Sequence, residues 1–368
     1  MPLSKIVANS ITDNTITTDQ IADTSVHGRR NLIINGKMQV AQKGTSLQIV
    51  GSSGPTFLDR FETAVVSDAT VTVSQDSTVP TGQGFTKSAK LVVNTADSSL
   101  SANQHNLFQQ KIEGNVGQHL MWGTSDAKKC TVSFWIRSSL TGSFTYYAID
   151  GNAGSQSYVA PFTISAADTW EKKTITIPGP TTGGTTDFPQ GTSRMLYTGF
   201  NLGVGSNHQT STVNAWHDPS GSWASTRSSD VQFVSNAGAT LYITGWQFEV
   251  GEIATPFEHR SFGEELTACQ RYFFREGNVG EALHYVTVGP SPNQLWYFQA
   301  LPVQMRADPT DTIYADNSQA NSGKCRRDDN TLVSISGSYT SQDTIGFLIT
   351  NSTTNNLYFH DFDVDAEL

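Results

Sequence analysis

Charge is scarce in this sequence: Lys, Arg, Asp and Glu together make up 15% of 368 residues, well under the quarter usual in globular chains. What charge there is leans acidic, with a formal net of -10. Basic residues cluster only at Arg29-Arg30 and across Lys324 to Arg327, so the basic stripe that a nucleic-acid backbone demands is missing. Cysteine is nearly absent too. Cys130, Cys269 and Cys325 are far apart and form no C-x-x-C pair, which indicates neither a disulfide framework nor a zinc site. No run of about 18 apolar residues occurs, and Met1 to Ser10 lack a basic region followed by an apolar core, so neither membrane insertion nor a signal peptide is expected and assembly in a cytoplasm is. Catalytic signatures are missing as well: there is no G-x-S-x-G, no H-E-x-x-H, no phosphate loop and no dinucleotide fingerprint, so no catalytic residue, metal ligand or cofactor is assigned.

What the sequence has in plenty is Ser, Thr, Asn and Gly, with a hydrophobic fraction of 37%. That composition belongs to a β-rich, turn-rich protein, and the length suggests two or three folding units.

Residues 1–30 carry an unusual period. Ile6, Ile11, Ile16, Ile21 and Val26 recur every five residues, a spacing that gives a buried stripe on neither a helix nor a strand. Asn9, Asp13, Asn14, Thr15, Thr18, Asp19 and Asp23 between them favour tight bends. Burying five aliphatic side chains does not offset the ordering of so long an arm. Either the arm wraps with copies of itself or docks into a larger assembly, or it is a disordered tail. An anchoring or oligomerising arm is the expectation taken.

Residues 31–260 change to short alternating apolar runs separated by Gly, Ser, Asn and Pro, the pattern of an antiparallel jelly-roll sandwich. Val132, Phe134 and Ile136 share one phase while Ser133, Trp135 and Arg137 share the other. Within 240–250, Leu241 and Ile243 are in one phase but Trp246, Phe248 and Val250 are in the opposite one, which predicts a bulge at Gly245. Residues 261–275 read as a connecting helix: Ser261-Phe262-Gly263-Glu264 forms a capping box, with Leu266, Cys269 and Phe273 at helical spacing. Residues 276–368 again show strand runs, a smaller C-terminal β domain. The fold class expected is therefore all-β.

Several segments carry a family likeness. Asn31-Leu32-Ile33-Ile34-Asn35-Gly36, Gln39 to Gly44 and Asp59-Arg60-Phe61 resemble the opening of many phage tail-fibre and related virion domains. Thr244 to Gly251, Ala254 to Ser261 and Cys269-Gln270-Arg271-Tyr272 continue the likeness, and the bracketed region looks like a carbohydrate-binding-module jelly roll. Arg306 to Thr310 looks like the short C-terminal extension of such proteins. The resemblance implies a virion fibre or spike subunit, usually a trimer, held to other virion proteins and attaching to host surface polysaccharide. A purely structural virion protein and a polysaccharide depolymerase are the alternatives.

Sugar rings present apolar C–H faces that stack on aromatic side chains. Trp216 and Trp223 stand in a polar stretch beside His217 and Asp218, where they either stack on glycan or pin the loop. Trp296 and Tyr297 are further glycan candidates, in a run that also reads as an ordinary strand. His208, His217 and Asp218 lack a further ligand at usable spacing for a metal. Asp361, Asp363 and Asp365 share one face of a strand, a cation site or, more simply, a solvated face.

Overall fold

One strand belongs to both layers of the molecule. The computed structural model describes residues 29–368 apart from 56–57, 153–155, 220–221, 277–283, 286, 289–293, 316–321, 328–330, 351–356 and 360. The pentad residues Ile6, Ile11, Ile16, Ile21 and Val26 lie outside the described residues. The first eleven strands are β1 (Ser46–Pro55), β2 (Phe61–Asp76), β3 (Ser88–Thr95), β4 (His105–Glu113), β5 (Cys130–Ser138), β6 (Gly142–Asp150), β7 (Ser157–Ile164), β8 (Glu171–Ile177), β9 (Arg194–Val204), β10 (Trp216–His217) and β11 (Thr240–Val250). They form one antiparallel sheet in the order β10-β7-β6-β9-β4-β2-β3-β11-β5-β8, with β1 beside β2.

The sheet curls because β2 changes partner along its length. Phe61 to Val66 pair with β4, whereas Thr70 to Asp76 pair with β3. β1 follows both halves, with its register broken between Val50 and Ser52. The result is a sandwich. Phe134 of β5 packs 4.8 Å from Phe200 of β9, and Trp246 of β11 packs 4.9 Å from the same ring and 5.6 Å from Phe61. Period-two alternation fills this core, and Val132, Phe134 and Ile136 are all fully buried.

The bulge expected in β11 is present: Gly245 has φ +60° and the pairing with β5 shifts between Thr244 and Gln247. Residues 32–36 run beside this bulge. Leu32 N donates to Phe248 O, and Trp246 N to Gly36 O. A Cβ on Gly36 would lie 2.1 Å from Trp246 O, so no other residue fits. Asn31 ties the segment down, its Nδ2 donating to Trp246 O at 3.0 Å and its Oδ1 accepting from Phe248 N at 2.9 Å. Glu258 Oε2 accepts from the backbone N–H groups of Arg30 and Asn31. The likeness-bearing segments thus knot together as structure.

The capping box closes around helix α1 (Phe262–Gln270): Ser261 Oγ accepts from Glu264 N, and Glu264 Oε2 from Ser261 N. The helix ends earlier than its apolar spacing predicts. Phe273 opens a strand instead, β12 (Phe273–Glu276), which pairs with Asp365 to Phe362. The remaining strands are β13 (His284–Tyr285), β14 (Thr287–Val288), β15 (Gln294–Ala300), β16 (Thr310–Tyr314), β17 (Lys324–Arg327), β18 (Leu332–Ser334), β19 (Gly337–Ser338), β20 (Thr344–Thr350), β21 (Leu357–Phe359) and β22 (Asp361–Asp365). They form three small sheets, β12-β22-β16, β13-β21-β17-β18 and β14-β15-β20-β19, around a core that includes Phe347, Phe362 and Val364.

The expectation of a solvated carboxylate face on β22 is corrected. β22 is a central strand, and its Asp363 is buried, pairing with Arg275 and accepting from Tyr314 Oη at 3.0 Å. Asp365 pairs with Lys43 of the sandwich at 3.1 Å. Alternation marks a face; it does not say what lies opposite.

Candidate functional site

The outer face of the β6-β9-β4-β2 layer carries a groove. Along β4 the side chains of Phe108 and Ile112 turn to the core, so His105, Leu107, Gln109 and Lys111 line the opposite face, a row of roughly 20 Å at ~3.3 Å per residue. Register sets their neighbours. Glu62 lies across from Gln109 and Ala64 from Leu107 on β2, while Tyr197 of β9 lies across from Lys111 on one side and Ile149 of β6 on the other. Ala64, Leu107, Tyr147, Ile149 and Val204 make a small apolar cluster under this face.

Gly199 makes the floor possible. A Cβ there would lie 2.3 Å from Phe108 O. Tyr147 is paired with Gly199 in the register and donates to Gln109 Oε1 at 2.6 Å. Burial raises the Tyr147 phenol well above its ordinary pKa, so it remains a neutral donor that fixes the Gln109 amide with its nitrogen toward Glu62. Gln109 Nε2 donates to Glu62 Oε2 at 3.2 Å, and Lys111 Nζ lies 2.8 Å from the same oxygen.

The wall comes from the two segments that flank β10, between β9 and β11. His208 lies on it, stacked on Trp223 with centroids 3.8 Å apart and planes within 15°, and His105 meets both rings edge-on at 5.5 and 5.3 Å. His208 Nδ1 is 3.2 Å from Trp223 O and from Ser222 Oγ. Burial, with a contribution from nearby His105, holds the His208 imidazole below the usual histidine pKa, so the stack is between neutral rings. The loop is fixed around the tryptophan: Ala224 N donates to Ser157 Oγ, Ser225 Oγ to Asn201 Oδ1, and Arg227 pairs with the buried Asp230 at 2.7 Å. The recess measures about 180 Å³.

The six glycan candidates fall in three places. Trp223 lines the groove. Trp216, His217 and Asp218 line a separate open recess of about 770 Å³ with Gln156 and Asp187. There the Trp216 ring is wedged against Trp122, Tyr158 and Phe188, and its Nε1 donates to Pro178 O at 2.6 Å, so it pins its loop to the sandwich. Trp296 and Tyr297 belong to β15 in the C-terminal sheets. Trp296 lies beside the exposed Phe298 and Tyr339 at 5.7 and 5.1 Å, whereas Tyr297 packs inward on Phe347 at 4.9 Å.

Sequence reasoning passed over Glu62, His105, Gln109, Lys111 and Tyr197. A signal existed in β6 and β4: Tyr146-Tyr147-Ala148-Ile149 and Leu107-Phe108 place bulky groups in both phases, which happens when the outer face is also partly covered.

Chemically, the arrangement offers an aromatic face, an apolar floor, two donors and one acceptor. Glu62 is the carboxylate of this lining, whereas glycosidic cleavage by paired carboxylates takes two. Among the described residues no group of three or more His, Cys, Asp or Glu is placed to hold a metal ion.

No protein-family model matches the chain, and no curated protein matches it. Among solved structures it is similar to the enzymatically active domain of tailspike protein 4 from bacteriophage CBA120, at 15% identity and a TM-score of 0.33, over 60% of this chain and 21% of that one. It is also similar to a xylan-binding domain from Paenibacillus barcinonensis, at 13% identity and a TM-score of 0.29 over 56% of this chain and 95% of that one. A family 11 carbohydrate-binding module from Clostridium thermocellum, solved with a mixed-linked tetrasaccharide, shows 11% identity and a TM-score of 0.27 over 58% and 98%. The chain thus spans about a fifth of the tailspike domain, and likenesses this distant concern the β-sandwich alone.

Proposed function

We propose that this chain is a structural and adhesive subunit of a bacteriophage fibre. It works as a homo-oligomer, a trimer in the simplest form, and its outer-face groove holds a surface polysaccharide of the host. The fibre assignment is supported by the likeness-bearing segments at 31–44, 59–61 and 244–272. The arm read in the sequence over residues 1–30 joins copies of the chain or grips other virion proteins, and the protein resides in the virion.

One observation carries the glycan reading: Trp223, stacked on His208, lines one recess with the apolar Ala64, Leu107 and Ile149 and the polar Gln109, Glu62 and Lys111. An aromatic face for sugar C–H groups, beside groups that both donate to and accept from hydroxyls, is the chemistry a glycan needs. Weak sites repeated around an axis gain avidity through effective concentration, so no single groove needs high affinity.

The test is binding of the full-length protein to host cells and to an array of surface glycans, with Trp223→Ala alongside. Binding that drops about tenfold or more in the variant supports the reading. Wild-type binding that Trp223→Ala leaves untouched removes the groove from the account.

A further inference from the structure

Resting on the glycan-binding reading, we propose that the groove receives one end of an uncharged glycan chain and not a stretch from its middle.

The groove is blind beyond Lys111. There Lys111 Nζ donates to Leu368 O at 2.7 Å, and the neighbouring Glu367 carboxylate is bonded to Arg60. The space left among Glu62, Lys111, Glu367 and Leu368 is about 20 Å³, little more than one water needs. That space holds no sugar ring, and residues 367–368 stand at this end of the row. A chain lying along β4 therefore ends at Lys111, with its last residue seated against Tyr197 and the residues before it running toward Trp223. The recess of about 180 Å³ agrees, being smaller than the ~300–1,000 Å³ of sites that enclose drug-sized ligands.

Charge selects among possible chain ends. The ammonium of Lys111 is paired with Glu62 and with Leu368 O, and the Arg194 guanidinium, lying 4.1 Å over Tyr197, donates to Gly151 O. A uronate or sulfate entering here meets cations that are already satisfied, beside the Glu62 carboxylate, and loses its hydration without an equal return. A neutral hydroxyl has no such cost, since it can donate to Glu62 and accept from the second N–H of the Gln109 amide.

The experiment uses the full chain and neutral oligosaccharides in three forms: free-ended, blocked at both ends with bulky aromatic groups, and ended with a uronate. Affinities are read in solution by competition. Blocking both ends is expected to weaken binding about tenfold or more, and the uronate form is expected to bind comparably poorly. Glu62→Gln leaves the Lys111 charge unmatched, so the uronate-ended chain should gain about tenfold relative to the neutral one. Doubly blocked chains that bind within about twofold of free ones, or a wild-type preference for uronate, overturn the inference. If Trp223→Ala abolishes binding while blocked chains bind fully, the groove remains the glycan site and only the chain-end claim fails. If Trp223→Ala changes nothing, the groove reading fails and takes this one with it.

Discussion

The guanidinium of Arg60 lies over the ring of Tyr272, its Cζ 3.4 Å from the ring centroid. Arg60 is buried, bonded to Glu367, and donates through Nη2 to Lys111 O at 2.8 Å. Tyr272 Oη donates to Glu113 Oε2 at 2.6 Å, and Glu113 in turn pairs with Arg271 at 2.7 Å. Arg60 belongs to one likeness-bearing segment, Arg271 and Tyr272 to another. Their role is to join the sandwich to the C-terminal sheets and to hold residues 367–368 at the end of the groove.

Removing one partner from so dry a network leaves a charge buried without compensation. Arg60→Met should therefore destabilise the protein by about 3–5 kcal/mol. Arg60→Lys should recover little, because an ammonium cannot both stack on Tyr272 and reach Glu367 and Lys111 O. The double variant Arg60→Met, Glu367→Met should be more stable than Arg60→Met alone. Urea unfolding of the three variants decides this, and a loss below about 1 kcal/mol in Arg60→Met would show the network to be peripheral.

Much of the fold was legible where side-chain phase alone decides the structure. The phase switch around Gly245 announced the bulge, and Ser261 with Glu264 announced the helix start. Strand β7 escaped notice because Pro161 interrupts it. Proline is tolerated there since Tyr158 and Ser157 alone pair with β10, leaving the rest of that edge without a partner strand. The Asp363 and Asp365 carboxylates were misplaced for a different reason: their partners Arg275 and Lys43 lie 88 and 322 residues away in sequence. The groove was hidden in the same way. Glu62, Lys111, Tyr197 and Trp223 come from distant segments and meet only through strand register.

Asp59 gives the protein a stability that depends on pH. Burial raises its carboxyl from 3.8 to about 6, against the hydrogen bonds from Gln42, which favour the ionised form. The folded state therefore holds this proton to higher pH than the unfolded chain does. Stability from this group is complete below about pH 4 and is lost as pH rises through about 6, a change of up to about 3 kcal/mol. Asp59→Asn keeps an acceptor for Gln42 N and carries no charge. In urea unfolding from pH 4 to 7, the variant should gain on the wild type progressively across that interval. A difference that stays constant with pH would falsify the assignment.

Trp216 and Trp223 should respond oppositely to truncation. Trp216 fills the space among Trp122, Tyr158 and Phe188 and bonds Pro178 O, so Trp216→Ala should cost about 3 kcal/mol of stability. Glycan affinity should stay within about twofold, since Trp216 does not line the groove. Trp223→Ala should instead lose binding, since Trp223 lines the groove. Thermal unfolding and glycan titration of both variants test the separation; a Trp216→Ala protein that keeps its stability and loses glycan would exchange the roles of the two recesses.

The arm can be tested apart from the sandwich because the boundary between them is defined by hydrogen bonds. Arg30 N and Asn31 N both donate to Glu258, and Arg260 Nη2 donates to Asn31 O, so a deletion should stop at residue 28. Removal of residues 1–28 should leave the unfolding midpoint of the sandwich within a few degrees of the intact chain, and under the proposed function should abolish oligomer formation or incorporation into particles. Ile11→Ser, Ile16→Ser and Ile21→Ser together should act in the same direction, because under the proposed function these side chains are what the arm buries against its partners. Sedimentation of both proteins and quantification of their copy number in purified particles supply the readout. Normal copy number after the deletion would mean that attachment runs through the sandwich or the C-terminal sheets instead.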